Sequence, residues 1–208
     1  MKSKVGIVCI VLGVLLLLGA LLLALFNMRQ DAAARKAAEA IMSQLVQQIQ
    51  KGPAAADGEG VFDLDLQVPV DLLTDEEKKM SEVVIDGYAY IGYLSMPTLD
   101  LELPVMSTWS YPQMKLAPCR YNGSIRGEDL VIMAHNYSNH FGKISQLSVG
   151  DNLSFTDADG VTTVYTVVAQ DIVESTAVEE VTDGTYDLTL FTCTYGGGSR
   201  VTVYCNKA

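Results

Sequence analysis

The sequence predicts a mainly β domain, a sandwich or closed barrel with short helices, behind an N-terminal membrane helix. Three observations carry this reading. Short apolar and β-branched runs separated by turn residues recur from Tyr88 to the C-terminus. An uncharged apolar stretch runs unbroken from Val5 to Phe26, long enough for the roughly 20 helical residues that cross a bilayer. Two final runs, Asp187 to Cys193 and Arg200 to Cys205, flank the segment Thr194-Tyr195-Gly196-Gly197-Gly198-Ser199 and read as an antiparallel hairpin.

Residues 1–4 carry Lys2 and Lys4, while Arg29, Arg35 and Lys36 follow the apolar segment 5–26. The charge bias across it is nearly balanced and orients it only weakly. A cleavable signal has an apolar core of about 7–15 residues ending at small side chains. This run is longer and passes through Leu25-Phe26-Asn27-Met28, which favours an uncleaved anchor. Residues 27–51 continue as a juxtamembrane helix with Ile41, Leu45 and Ile49 on one stripe. That stripe is expected to pack on the domain rather than on a second copy. Residues 52–81 form a linker rich in Gly, Pro and Ala, followed by a short helix opened by Thr74-Asp75-Glu76-Glu77 with Thr74 as its N-cap.

Strands are expected near 88–95, 99–105, 129–134, 152–156, 162–172, 187–193 and 200–205, with one helical turn over Phe141 to Leu147. The compact domain is then 82–208, large enough for one core. Residues 27–208 hold 12 Lys+Arg and 25 Asp+Glu, a formal charge of −13. Such acidity serves solubility and disfavours nucleic acid, whose phosphates need a basic footprint.

Cys9 lies in the membrane segment, leaving Cys119, Cys193 and Cys205 outside it. Three cysteines exclude a dense disulfide scaffold and, if no intermolecular bridge forms, leave at least one free thiol, with a Cys119–Cys205 bridge open. If Cys193 pairs across from Arg200, then Leu188, Leu190 and Thr192 share a core face with Val201, Val203 and Cys205. Thr189, Phe191 and Cys193 share the other, wetter face with Arg200, Thr202 and Tyr204. The apolar pattern favours this register, because a one-residue slip would turn one strand's apolar set outward. Cys205 is then a buried, unreactive thiol, and Cys193 meets a guanidinium.

A thiol nucleophile needs a partner that favours the thiolate. His135 directly follows the apolar run Asp129-Leu130-Val131-Ile132-Met133-Ala134, so a rigid strand end holds it. His140 sits in the loop beyond and is expected to be a loop hydrogen-bonder. His135 is therefore the favoured acid or base. Arg120 and Arg126 are rival cations, read as surface residues of a loop. Trp109, Tyr111 and Phe141 are read as packing or rim residues.

The order His135, Cys193, Arg200, with Thr189-Leu190-Phe191-Thr192-Cys193 on the penultimate strand, resembles the sortases, membrane-anchored cysteine transpeptidases of Gram-positive bacteria. Their signature is Thr-Leu-x-Thr-Cys with arginine on the next strand. Ile132-Met133-Ala134-His135-Asn136 and the stretch from Phe141-Gly142-Lys143-Ile144 through Gly150-Asp151 are similar to the family's, so the resemblance spans about 85–208. It implies a closed eight-stranded β-barrel. It also implies that a Cys193 thiolate beside protonated His135 attacks a threonine carbonyl in a C-terminal sorting motif of a secreted protein. His135 would protonate the leaving amine. Arg200 would hold the substrate or the oxyanion, and Thr192 would contact substrate. An amine of a peptidoglycan precursor or pilin lysine would resolve the thioester, with no cofactor or metal. The resemblance further implies a cytoplasmic N-terminus, a single-pass anchor and an extracellular catalytic domain.

The short connection from Ile172 to Tyr186 counts against the haem-uptake class, which inserts a helix there. No Asp-Pro-aromatic lid of the pilin-polymerising class precedes the barrel. The subclass, and whether 61–80 cover the groove, stay open. Competing readings are a cysteine protease that transfers only to water, a zinc site of His135, His140 and Cys193, and a non-enzymatic extracellular β-domain.

Overall fold

The computed structural model describes residues 2–51, 74 and 78–208. One helix, α1 (Lys2–Gln50), carries both the apolar segment and the juxtamembrane stripe without a break. Its stretch Gly6–Arg29 is long and apolar enough to cross a membrane and buries nothing against the rest of the chain. No proline or glycine interrupts the stretch after Arg29 that joins it to the stripe, which is why the helix continues. Ala38, Leu45 and Ile49 are buried, and each large side chain so removed from water contributes about 1.5–3 kcal/mol. The linker 52–60 and the expected helix start at Asp75-Glu76-Glu77 lie outside the described residues, as does most of 61–80.

The remaining chain forms β1 (Val83–Ile85), β2 (Tyr88–Met96), β3 (Leu101–Met106), α2 (Tyr111–Met114), β4 (Cys119–Asn122), β5 (Leu130–Ala134), β6 (Asn152–Asp157), β7 (Thr162–Glu174), α3 (Val178–Thr182), β8 (Leu188–Cys193) and β9 (Ser199–Lys207). The strand order is β1-β2-β3-β4-β5-β8-β9-β7-β6, and β6 pairs back onto β2. This pairing closes an eight-stranded barrel from β2 to β9, with β1 appended to β2 as a hairpin. The β3–β4 and β5–β8 pairs are parallel and the others antiparallel. Closure leaves no long free edge.

All seven expected strands are present, and two more are added. β1 has three residues, and β4 is four residues between Pro118 and Gly123. Neither is long enough to display a period. Arg120, expected in a surface loop, is therefore a half-buried strand residue. The connection before β8 is also not bare, since it holds the one-turn helix α3. The turn expected over Phe141 to Leu147 is a 3-10 helix at Ile144–Gln146.

Three apolar clusters organise the domain. Leu94, Leu130, Ile132, Phe155, Leu190 and Val203 fill the barrel together with Cys205. Leu45 and Ile49 of α1 seat on Ile85, Tyr90, Met106, Met114 and Cys119. Val131, Val173, Val181 and Phe191 form a third cluster on the outer wall. Cys119 and Cys205 therefore lie in different clusters on opposite sides of the barrel wall, and both are free thiols. The bridge left open by the sequence is not formed.

Candidate active site

The last hairpin has the expected register, with Cys193 opposite Arg200, Leu190 opposite Val203 and Leu188 opposite Cys205. Leu188, Leu190, Thr192, Val203 and Cys205 are buried as a core face should be. The other face is drier than its alternation suggests. Thr189, Phe191, Thr202 and Tyr204 are buried too, because Tyr186 stacks on Tyr204 at 4.5 Å and Val181 packs on Phe191. That face is open only at its Cys193–Arg200 end.

Parallel pairing brings the third residue to the same place. Ala134 on β5 pairs with Thr192 on β8, so His135 and Cys193 each follow the last pair on neighbouring strands, about 4.8 Å apart. Leu130, Ile132 and Ala134 point into the barrel, which turns Val131, Met133 and His135 outward. His135, Cys193 and Arg200 thus stand in a row across β5, β8 and β9 at one end of the outer wall. They line one cavity of about 200 Å³, whose remaining wall is largely apolar and includes Met133, Val181, Phe191, Tyr121 and Trp109. Glu174 at the end of β7 adds a carboxylate to the rim.

The Thr192 hydroxyl donates to the Ala134 carbonyl at 2.8 Å and is buried. Thr192 borders the cavity as a substrate-contacting residue would, but its hydroxyl is spent on tying β8 to β5 beside the site. The loop after β5 is also fixed. Phe141 N–H donates to the His135 carbonyl at 3.2 Å and Gly142 N–H to the Tyr137 carbonyl at 2.9 Å. A Cβ on Gly142 would fall 2.5 Å from the Asn136 oxygen, so only glycine closes this loop.

His135 is half-buried, and its Nε2 is buried with no hydrogen-bond partner among the described residues. Its ring lies 4.9 Å from that of Tyr137. Burial, and secondarily the Lys115 ammonium, hold its pKa below the ordinary 6.5. The direction of that shift favours the neutral imidazole over the imidazolium that the resemblance implies. Burial pushes the Cys119 and Cys205 thiols up to about 12, so neither is a nucleophile. Arg200 donates through Nη1 to the Gly197 and Ser199 carbonyls, both at 3.0 Å. Gly196 and Gly197 take φ of 86° and 76° in that turn, a region that disfavours other residues.

His140 is fully buried behind the site with its ring 5.5 Å from Tyr137. It does not line the cavity that His135 and Cys193 share. Among the described residues no three His, Cys, Asp or Glu groups are arranged to hold a metal ion. Trp109 and Tyr111 are rim residues, 42% and 71% exposed, whereas Phe141 belongs to the barrel core. Tyr121 and Lys115 were not singled out from the sequence. The short β4 and the one-turn α2 that place them carry too little pattern to be seen.

Comparison with known proteins gives the family and the fold. Residues 94–208 match the family model described as the Sortase domain. Sortase C from Clostridium perfringens SM101 aligns at TM-score 0.52 and 20% identity, covering 80% of this chain and 88% of that one. Sortase C1 from Streptococcus agalactiae aligns at 0.52 and 22%, covering 66% and 78%. Sortase A from Corynebacterium diphtheriae aligns at 0.52 and 22%, covering 58% and 61%. At these identities the structural likeness speaks for the fold alone. No curated protein matches the chain in sequence.

Proposed function

The chain belongs to the sortase family, and from that premise we propose that it is a cysteine transpeptidase with Cys193, His135 and Arg200 as its catalytic residues. The reading rests on one observation above all. Two strand registers, Ala134 with Thr192 and Cys193 with Arg200, bring the three side chains to one cavity. Chemistry assigns the roles. Neutral His135 takes the Cys193 proton as sulfur attacks the threonine carbonyl of a C-terminal sorting motif, and returns it to the leaving amine. Arg200 offers fixed positive charge to the tetrahedral oxyanion or to the substrate backbone. The largely apolar cavity wall favours apolar side chains on the bound peptide. A peptidoglycan-precursor or pilin amine then resolves the thioester.

Single-pass anchoring by α1, with the N-terminus cytoplasmic and the barrel outside, accords with one N-terminal helix of crossing length. It also accords with substrates that are secreted proteins. The test is mass spectrometry of the protein after incubation with a library of sorting peptides, with and without an added amine. The expected result is a thioester at Cys193, absent in Cys193→Ala, and an amide product when amine is present. Arg200→Lys should lose most of the acylation rate, because an ammonium lacks the planar fork. Turnover by Cys193→Ala, or products of water attack alone at saturating amine, overturns the assignment.

A further inference from the structure

A transferase of this kind brings two substrates to one carbonyl, and a second hollow adjoins the catalytic cavity. Across the wall made by Trp109 and Tyr121 lies a groove of about 440 Å³, lined also by Ser107, Thr108, Arg120 and Asn122. That groove shares Arg120 and Gly123 with a further hollow of about 230 Å³ bordered by Lys78 and Lys79. The lining changes character along this path, from an apolar cavity to a polar and cationic trough. Arg120 spends Nε on the Ser107 carbonyl at 2.8 Å and Nη1 on the Gly123 carbonyl at 3.4 Å. Its Nη2 makes no hydrogen bond among the described residues, and Lys78 and Lys79 have no ion pair among them. Among the described lining residues the acid is Asp129, whose Oδ1 already accepts from the Ser124 amide at 2.9 Å.

Strand order gives the path its direction. Read across the sheet, β4 carries Tyr121 and Arg120, β5 runs directly into His135, β8 carries Cys193 and β9 carries Arg200. Arg120 pairs with Ile132 and Asn122 with Val131, three and four residues before His135. A molecule seated there has about 10–13 Å of β5 to span at about 3.3 Å per residue, and it meets the imidazole before the sulfur on the next strand. We propose that this trough is the binding site for the acceptor, and that it selects an amine whose neighbouring atoms carry carboxylates or phosphates. The inference rests on the transpeptidase reading above. The acceptor nitrogen attacks the thioester carbonyl, a C–N bond forms, and the C–S bond breaks with its electron pair leaving on sulfur. The proton lost by the amine passes to His135.

The test charges Cys193 with a sorting peptide and chases the acyl-enzyme with three acceptors sharing a Gly-Gly amine. These are triglycine amide, Gly-Gly-Glu-Glu and Gly-Gly-phosphoserine amide. The wild type should prefer an anionic acceptor over the neutral one by about fivefold or more, the size of one partly exposed ion pair, and lose that preference at high salt. Arg120→Gln, and separately the neighbouring pair Lys78→Gln/Lys79→Gln, should bring the ratio near one, with Arg120→Lys between. The ratio of the two anionic acceptors tells carboxylate from phosphate. Full-length Cys193→Ala titrated with Gly-Gly-Glu-Glu should show NMR shifts at Ser107, Tyr121 and Asn122. Shifts without any acyl-enzyme in the wild type would leave the trough standing and remove the transpeptidase. An acyl-enzyme with equal use of all three acceptors overturns the trough alone.

Discussion

Thr192→Val removes one hydroxyl while keeping the side chain's shape, and it tests whether the strand ends beside the site are held by the bond to Ala134. The hydroxyl donates to that carbonyl at 2.8 Å from a position 3% exposed. A buried hydrogen bond of this kind is worth about 0.5–1.5 kcal/mol net, and a carbonyl left unsatisfied costs about 1–3 kcal/mol. The variant should lose about 1–3 kcal/mol, which for a domain of this size lowers Tm by roughly 3–10 °C. His135 and Cys193 each directly follow the tied pair, so loosening it shifts both. A displacement near 1 Å can cost about 10²-fold in rate, and an acylation rate at least tenfold lower is expected with little change in KM. Calorimetry reads the first effect and single-turnover acylation of Cys193 the second. Thr192→Ser keeps the donor and should recover most of both. Wild-type acylation in Thr192→Val, or failure of serine to rescue, refutes a positioning role and returns Thr192 to direct substrate contact.

The remaining predictions concern protons and thiols. Because burial holds His135 below 6.5, the acid limb of kcat/KM should fall below pH 6.5. Lys115→Gln should move it up only slightly, burial being the larger cause. An acid limb above 6.5 sinks this reading. The same depression means that the unfolded chain binds the extra proton first, so this group's contribution to stability is lost as pH falls through and below 6.5. Denaturant midpoints measured downward from pH 7 should drop less in a His135→Gln variant than in the wild type. A membrane-impermeant thiol reagent should modify Cys193, with Cys119 and Cys205 silent until unfolding, since both are buried with thiols pushed to about 12. Labelling of either in the folded protein, read by peptide mass mapping, would contradict their burial.

The parts legible in the sequence are those written in long patterns. The apolar run of α1, the stripe Ile41-Leu45-Ile49 and the alternation of the last hairpin each span enough residues to specify a face, and the Cys193–Arg200 register followed from them. The dryness of the outer hairpin face was not legible. It depends on Tyr186 and Val181 arriving from a connection that has no period of its own. The same holds for Arg120 and Tyr121, on a four-residue strand with a bulge. The tie between Thr192 and Ala134 needs residues 58 positions apart to meet, and no local pattern encodes that. His135 was found because a strand end is visible locally, but its lowered pKa comes from packing and from a lysine on another element.

The unbroken course of α1 has a mechanical consequence. At about 1.5 Å per residue, Ala38, the first of the helix's described side chains to be buried, stands only some 14 Å beyond Arg29, where the crossing-length stretch ends. The barrel is bolted to a stiff mast and not slung on a tether. It turns and rides with the mast and keeps its distance from the crossing-length stretch. For the transpeptidase proposed above, both substrates would have to come to a plane whose height is set by a count of residues.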